Sequence, residues 1–188
     1  MTYTLRFDGL FRCLPGGVRP QQNAGFMGYG WLIFKNDRMV AQGHGVYGHT
    51  HSATSNTAEY LALIEGLEAL CDMGVNREPV NVIGDAKCVI EQMQGLAGIN
   101  SPDVKALYRR AHKLASHFGH IQWEWRPREQ NRAADSLTRR AIREVHFNPS
   151  TYQEAVQALN PARPGKHRGS QFLSLLDLRI YHPLTAAH

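Results

Sequence analysis

The chain has 188 residues, of which 43% are hydrophobic and 20% are charged, the composition of an ordinary globular protein. No apolar run approaches the ~18 residues of a membrane span, and the N-terminal residues lack the basic and then apolar pattern of a secretory signal. Three cysteines without C-x-x-C spacing indicate reduced thiols, so we expect a cytoplasmic protein that does not contact a membrane.

The net charge of +5 and the isoelectric point of about 9.3 favour a polyanionic partner. The basic residues are unevenly placed, because residues 105–143 hold ten lysines and arginines and far fewer acids. Such a local excess points to nucleic acid more strongly than the total charge does. A solvated helical surface is the alternative interpretation of the same residues.

Hydrophobic periodicity predicts five strands and four helices in the first 145 residues. The first three strands precede every helix, and the turn at Asn36-Asp37 makes the second and third antiparallel. The later strands alternate with helices, which requires parallel crossovers. We therefore predict an α/β fold with a mixed five-stranded sheet and helices on both faces. The predicted strands are 3–8, 26–35, 39–47, 80–83 and 121–126, and the predicted helices are 55–71, 86–94, 103–118 and 131–145.

The pattern weakens after residue 145, so we divide the chain into a domain at 1–145 and a C-terminal extension at 146–188. The extension contains a possible short helix at 151–159 and a basic linker rich in proline and glycine at 161–169. Residues 172–181 are apolar enough to dock somewhere. We expect the extension to serve stability or substrate binding.

One acid stands apart on the helix that begins near Ser55. On a helical wheel, Glu65, Glu68 and Asp72 fall on a face that should be solvated, whereas Glu59 lies inside the apolar face. A carboxylate that points toward a core costs several kcal/mol unless something compensates its charge. Glu59 either closes a capping box with Asn56 or belongs to a metal site.

Three more acids lie at the ends of predicted elements. Asp8 closes the first strand, Asp85 closes the fourth, and Asp135 lies in the first turn of the last helix. Each has a structural alternative: a turn at Asp8-Gly9, a helix cap at Asp85, and a favourable helix-dipole interaction at Asp135. If the first three converge, their charges repel, and oxygen-only ligands of this kind suit Mg²⁺ or Mn²⁺.

Four segments together resemble the type 1 ribonuclease H family over about residues 1–145. Any one of the segments is a weak match, but their order and their placement on the predicted elements are specific. They are Phe7-Asp8-Gly9 followed by 23–31, Thr54 to Glu59, Ile83-Gly84-Asp85, and Arg128 to Asp135.

The resemblance implies an enzyme that cuts the RNA strand of an RNA/DNA hybrid and leaves 5′-phosphate and 3′-hydroxyl ends. It implies that Asp8, Glu59, Asp85 and Asp135 are catalytic and hold two metal ions, Mg²⁺ or Mn²⁺, that clamp the scissile phosphate. Discrimination against DNA would rest on the 2′-hydroxyl group. The family positions that contact the hybrid correspond to Gly9, Asn23 and Asn56, for which a helix cap at Asn56 and a turn at Asn23 are the structural alternatives.

The sequence departs from many family members in three places. The loop from Asp8 to Asn23 is long, and a different alignment would put Leu14 at the asparagine position. No histidine precedes the last helix, and Arg128 stands there as in the archaeal-like branch, so we expect Arg128 to assist at the phosphate or in product release. Apart from the two predicted helices, nothing between the last two strands matches the extra basic protrusion of some relatives, so we expect weaker hybrid binding unless the tail substitutes.

Two rival functions are a catalytically silent nucleic-acid-binding domain of the same fold and another two-metal nuclease, such as a junction resolvase. The first would tolerate loss of a carboxylate, and the second would differ at the segment from Asn131 to Asp135. We expect a monomer without a small-molecule substrate.

We interpret His44, His49 and His51 as structural or surface residues rather than as metal ligands, because no cysteine or supporting acid accompanies them.

Overall fold

The computed structural model describes residues 1–13, 24–49, 53–159 and 172–182. Within those ranges six strands form one sheet in the order β5-β4-β1-β2-β3-β6. The strands are β1 (Tyr3–Cys13), β2 (Gly25–Lys35), β3 (Arg38–His49), β4 (Val80–Gly84), β5 (Ile121–Trp125) and β6 (Leu173–Tyr181). The helices are α1 (Ser55–Asp72), α2 (Lys87–Met93), α3 (Pro102–Ala115), α4 (Arg132–His146) and α5 (Pro149–Leu159), with a 3₁₀ turn at Arg128–Gln130.

The predicted α/β fold with a mixed sheet is confirmed. β1, β2 and β3 are antiparallel neighbours, whereas β4 pairs in parallel with both β1 and β5. The predicted number of five strands is wrong, because β6 pairs antiparallel with β3 and extends the sheet. The apolar residues of β6 indicated that this segment docks. They did not indicate that it docks as a strand on β3, because a local sequence pattern does not show which edge of the sheet is unpaired. The division at residue 145 stays a prediction, and the linker at 161–169 lies outside the described residues.

The first strand is longer than predicted, and this changes the place of Asp8. β1 runs to Cys13 and pairs with β2 along its whole length, so Asp8 lies inside the strand opposite Gly30. The turn interpretation of Asp8-Gly9 is therefore wrong. β4 pairs with β1 only from Tyr3 to Arg6, with Arg6 opposite Ile83. The same register carried two residues further brings Asp8 level with Asp85, just where β4 ends.

Helices cover both faces of the sheet. α1 and α3 close a large core on one face, while α4 and α5 enclose a smaller cluster around Phe26, Val46 and Val145 on the other. α1 is buried on nearly all sides, because the sheet, α3 and the side chains of β6 surround it. A membrane span would require a longer and more apolar helix than any in the described ranges.

The predicted solvated position of Glu65 is wrong. Its side chain is 2% exposed, accepts a 2.5 Å hydrogen bond from the Tyr47 hydroxyl and lies 2.7 Å from Nη2 of Arg179 on β6. Arg179 also contacts Asp72 at 3.0 Å, and Asp177 accepts a hydrogen bond from the Tyr29 hydroxyl at 2.8 Å. The tail thus covers the face of α1 that the helical wheel left open, and it does so with paired charges.

The histidines near the end of β3 do not share one environment. His44 is buried, and its Nε2 lies 2.9 Å from Glu144 on α4. His49 is also buried, with its ring 4.8 Å from that of Phe172. His51 lies outside the described residues. His44 therefore contacts α4 on one side of the sheet, and His49 contacts the tail on the other side.

We expect Arg179→Ala to lower the free energy of unfolding by about 2–3 kcal/mol, because it leaves the buried Glu65 without its cation. Chemical denaturation measures this. The control is Arg110→Ala, which removes an exposed partner of Glu68 and should cost less than about 1 kcal/mol. An equal loss of unfolding free energy in the two variants would show that the contact between β6 and α1 stabilises the protein no more than an exposed ion pair does.

Candidate active site

Three carboxylates from three elements meet beside β1, just beyond the point where β4 ends. One ligand oxygen each from Asp8 in β1, Glu59 in α1 and Asp85 after β4 lie within 4.8 Å of one another. Asp8 is buried at 3% exposure and Glu59 at 9%. No other group of three potential metal ligands was found among the described residues. The convergence expected from the sequence for these three acids is therefore present.

Gly9 allows Glu59 to reach the other two acids. A Cβ atom at Gly9 would lie 2.3 Å from both the Ala58 carbonyl carbon and the Glu59 nitrogen, so only glycine permits this approach of α1 to β1. The Gly9 amide then donates a 3.1 Å hydrogen bond to Oε2 of Glu59. The Asn56–Glu59 capping box is wrong, because Thr54 is the N-cap and forms the box with Thr57. Glu59 is left free to face the cluster.

Asp85 does not cap the helix that follows it. The N-cap of α2 is Ala86, which makes no side-chain capping bond, so that alternative is also wrong. The Trp125 indole donates a 3.0 Å hydrogen bond to the Asp85 carbonyl and holds this turn against β5. Oδ1 of Asp85 is buried without a hydrogen-bond partner among the described residues. A buried, unsatisfied carboxylate oxygen is costly unless a cation binds it.

Asp135 lies near the cluster but has its own cations. It stands in the first turn of α4, where Arg128 donates a hydrogen bond to it and Arg139 contacts it at 2.7 Å. Although partial burial acts to raise its pKa, hydrogen bonds from Arg139 and Arg128 hold the pKa of Asp135 below its ordinary value. The structure therefore groups three of the four predicted ligands and pairs the fourth with arginines.

Sequence reasoning missed how α4 is fixed against the site. Asn131, fully buried, donates a 2.7 Å hydrogen bond to the Phe7 carbonyl, and the Thr138 hydroxyl lies 3.0 Å from the Asp8 carbonyl. Opposite Asp8, a Cβ atom at Gly30 would lie 2.8 Å from the Ala134 carbonyl oxygen. The seven-residue spacing of Asn131 and Thr138 places both on one helix face, but periodicity does not indicate that this face meets strand carbonyls.

The three grouped carboxylates resist ionisation in the absence of a cation. Burial, and then the charge of Asp85, raises the pKa of Asp8 to about 7. Burial, followed by the charges of Asp8 and Asp85, raises the pKa of Glu59 well above its usual range. Burial also raises the pKa of Asp85, although the positive charge of Arg128 opposes this. A positive charge placed among them would relieve both the desolvation and the repulsion.

The donor set suits a hard divalent cation. All three converging groups offer oxygen, none offers sulfur or imidazole, and one oxygen of Asp85 has no hydrogen-bond partner within the described ranges. Mg²⁺ and Mn²⁺ prefer such oxygen ligands, whereas zinc prefers nitrogen and sulfur. The residues therefore fit a divalent cation, and Asp8, Glu59 and Asp85 would hold it.

The other predicted residues surround this cluster. Asn56 is exposed in the first turn of α1, three residues before Glu59 and thus on the same side of the helix. Arg128 is exposed on the 3₁₀ turn, which Arg6 fixes through a 3.0 Å hydrogen bond to the Gln130 carbonyl. Asn23 and its alternative Leu14 lie outside the described residues.

The chain matches a family model described as "Reverse transcriptase-like" over residues 15–141. It is 38% identical over 129 residues to a bifunctional protein of Mycobacterium tuberculosis, an alignment that covers 68% of this chain and 34% of the relative. The chain thus spans about a third of the length of this curated relative.

The chain covers nearly the whole length of some similar solved structures. A crystal structure of RNase H1 from the halophilic archaeon Halobacterium salinarum has a TM-score of 0.64 and 31% identity, and the match covers 77% of this chain and 99% of that one. The LC11-RNase H1, solved in complex with an RNA/DNA hybrid, has a TM-score of 0.64 and 26% identity, covering 76% of this chain and 98% of that one.

The raised pKa of Asp8 gives the metal-free protein a characteristic pH dependence. Because the folded value of about 7 exceeds the ordinary 3.8, the folded state binds this proton more tightly than the unfolded state. The resulting stability is complete below about pH 3.8 and is lost as the pH rises through 7. Asp8→Asn should therefore stabilise the EDTA-treated protein at pH 8, on the order of 1–3 kcal/mol, and flatten this dependence.

Thermal melting in EDTA between pH 5 and pH 8 measures the effect, with Glu91→Gln, at a half-exposed position, as the control variant. Adding Mn²⁺ at pH 8 should raise the Tm of the wild-type protein more than that of Asp8→Asn. An unchanged pH profile in Asp8→Asn, together with an equal response to Mn²⁺, would contradict a cation site at Asp8.

Proposed function

Because the chain belongs to the type 1 ribonuclease H family, we propose that it hydrolyses the RNA strand of RNA/DNA hybrids. The observation that carries the proposal is the meeting of Asp8, Glu59 and Asp85 within 4.8 Å. A relative of the same fold has been solved with an RNA/DNA hybrid. These three acids lie where β4 ends beside the longer β1, and a long substrate would approach them at this end of the sheet.

Asp8, Glu59, Asp85 and Asp135 would hold two divalent ions, Mg²⁺ or Mn²⁺. When bound, such ions generate the attacking hydroxide and stabilise the leaving 3′ oxygen, so that the products carry 5′-phosphate and 3′-hydroxyl ends. The side chains of the site supply negative charge and a fixed geometry. Asp135 must partly release Arg128 or Arg139 to join the other acids, because both arginines contact it in this structure.

Recognition of the hybrid would use groups beside the cluster. Asn56 is exposed close to Glu59, where its amide can reach the sugar edge of the RNA strand, and the 2′-hydroxyl there distinguishes RNA from DNA. The Gly9 amide already donates to Glu59, so a substrate contact at Gly9 would involve its other backbone atoms. The same role for Asn23 stays a prediction from the sequence.

A basic row on α3 would bind backbone phosphates without regard to sequence. Lys105, Arg109 and Lys113 are exposed at four-residue spacing, which places them along one side of the helix. A surface hollow of about 310 Å³ lies beside this row and is lined partly by Lys105, Tyr108 and Arg109. Such cations make binding fall as salt rises.

Two rival functions make different demands on the same site. A silent binding domain would retain hybrid affinity without cleavage, and a junction resolvase would cut branched DNA in preference to the hybrid. The retained cluster favours an active enzyme over the silent domain, because a binding surface gains nothing from three buried acids that repel one another. The cytoplasmic setting and the lack of a small-molecule substrate stay predictions.

The decisive assay incubates the protein with labelled RNA/DNA, RNA/RNA, DNA/DNA and single-stranded RNA, each with Mg²⁺, Mn²⁺ or EDTA. Only the hybrid with a divalent cation should be cut. Asp8→Asn, Glu59→Gln and Asp85→Asn should each lower kcat about a thousandfold or more while hybrid binding is retained, since each removes cation-holding charge worth several kcal/mol.

The matched control for these variants is Glu91→Gln, which changes a half-exposed acid on the neighbouring helix α2. It should cleave at the wild-type rate. Near-normal turnover in any of the three cluster variants would refute the proposed site, and hybrid binding without any cleavage by the wild type would favour the silent domain.

Arg128 is proposed to assist at the scissile phosphate or in product release. Arg128→Ala should lower kcat about 10–100-fold, and Arg128→Lys should recover part of the loss. Arg139→Ala is the control, because Arg139 contacts the same carboxylate of Asp135. If Arg128 only holds Asp135, the two alanine variants will lose equal activity; a larger loss at Arg128 is the expected result.

A further inference from the structure

The outer edge of β6 is unpaired in the part of the chain that the structure describes. β6 is nine residues long and pairs with β3 on one side, and no described residue pairs with its other side. Four of its large hydrophobic side chains are exposed: Leu173, Leu178, Ile180 and Tyr181. Long apolar edges of this kind associate with other strands unless something blocks them, and β6 contains neither proline nor lysine.

The pairing with β3 fixes which backbone groups face outward. The amide of His182 donates a 2.8 Å hydrogen bond to the Val40 carbonyl, so residue 182 points its polar groups toward β3. Because the pattern alternates along an antiparallel pair, Leu178 and Ile180 also point theirs toward β3. The N–H and C=O groups of Asp177, Arg179 and Tyr181 therefore face the open edge.

We propose that a second copy of this chain binds at this edge, by antiparallel pairing of β6 with β6 across a twofold axis at Leu178. In this register Asp177 lies opposite Arg179 of the partner subunit, and each exchanges backbone hydrogen bonds with the other. The same pair recurs on the other side of the axis. The result is one continuous sheet that runs through both copies.

The side chains on the α4 face are self-complementary in this register. Leu176 packs against the cluster under α4 and α5, and Leu178 and Ile180 follow it on the same face by strand alternation. Leu178 meets Leu178 of the partner subunit, and Leu176 meets Ile180 of the partner subunit. Apolar groups thus cover each other at the pairs that Leu176, Leu178 and Ile180 form.

The charges on the α1 face select the same register. Asp177 and Arg179 point toward α1, as their contacts with Tyr29 and Glu65 show. A twofold axis at Leu178 places opposite charges across the interface. An axis at Asp177 or at Arg179 would instead place like charges directly opposite one another, which destabilises a strand pair.

The acids around Arg179 carry more negative charge than this one arginine balances, so they would attract Arg179 of the partner subunit. Glu65, Glu68, Asp72 and Asp177 all lie within 4.0 Å of this one guanidinium group. Arg179 of the partner subunit would add a second positive charge beside Asp177. β6 was not predicted from the sequence, and it is the feature that replaces the expectation of a monomer.

The interface is separate from the proposed active site. Three strands, β1, β2 and β3, lie between β4 and β6 in the sheet, and Asp8 belongs to the first of these. Hybrid cleavage therefore does not depend on the dimer, and failure of one proposal leaves the other standing.

Light scattering over a concentration series of the full chain tests the assembly. The wild type should approach twice its 21.1 kDa mass as concentration rises. Leu178→Lys should stay monomeric, because it places two lysines opposite each other on the axis. Leu173→Lys is the matched control: it adds the same charge to an exposed leucine of β6 far from the axis, and it should still dimerise.

An unchanged Tm and unchanged hybrid cleavage in Leu178→Lys would show that it is folded. A wild-type mass that remains at 21.1 kDa at the highest concentration reached would overturn the proposal. Equal dimerisation of Leu178→Lys and the wild type would overturn it as well.

Cross-linking tests the register. The pair at Leu178 lacks outward hydrogen bonds, and such pairs have Cα atoms about 4.5 Å apart, within disulfide range. Mild oxidation of Leu178→Cys should give a linked dimer. Ser174→Cys should not exceed the wild-type background from Cys13 and Cys88, since its two copies would lie roughly 27 Å apart. Equal linkage at both positions would contradict the register.

Discussion

The structure depends on the contact between the first turn of α1 and the middle of β1. Gly9 removes the one side chain that would hold the two backbones apart, and its amide then fixes Glu59. Without that approach, Glu59 would not reach Asp8 and Asp85. The acids that result are buried and close together, so ionising all three is unfavourable without a compensating positive charge.

On the opposite face of the sheet, α4 holds the same segment of β1 in place. α4 approaches β2 over Gly30, and its buried polar residues, Asn131 and Thr138, bind the carbonyl groups of Phe7 and Asp8. Two helices on opposite faces thus hold one short segment of β1. The tail contributes at a distance, because Arg179 of β6 neutralises Glu65 on the helix that carries Glu59.

Much of the fold and three of the four acids could be predicted from the sequence. Strand alternation, helix periodicity and the ordered motifs are local signals, and the α/β fold and the meeting of Asp8, Glu59 and Asp85 follow from them. The buried position of Glu65 could not be predicted, because its partners Tyr47 and Arg179 lie on other elements. The pairing of β6 with β3 depends on which edge is open in the folded sheet, and the pairing of Asp135 with arginines depends on the 3₁₀ turn that presents Arg128.

Asp8, Glu59 and Asp85 should together bind a divalent cation. Anomalous diffraction from crystals soaked in Mn²⁺ would show this, because the signal locates the ion itself. We expect an anomalous peak among the carboxylate oxygens of these three residues, and none there in crystals of Asp8→Asn. Crystals with no peak at this cluster, or with the three side chains turned away from one another, would contradict the account.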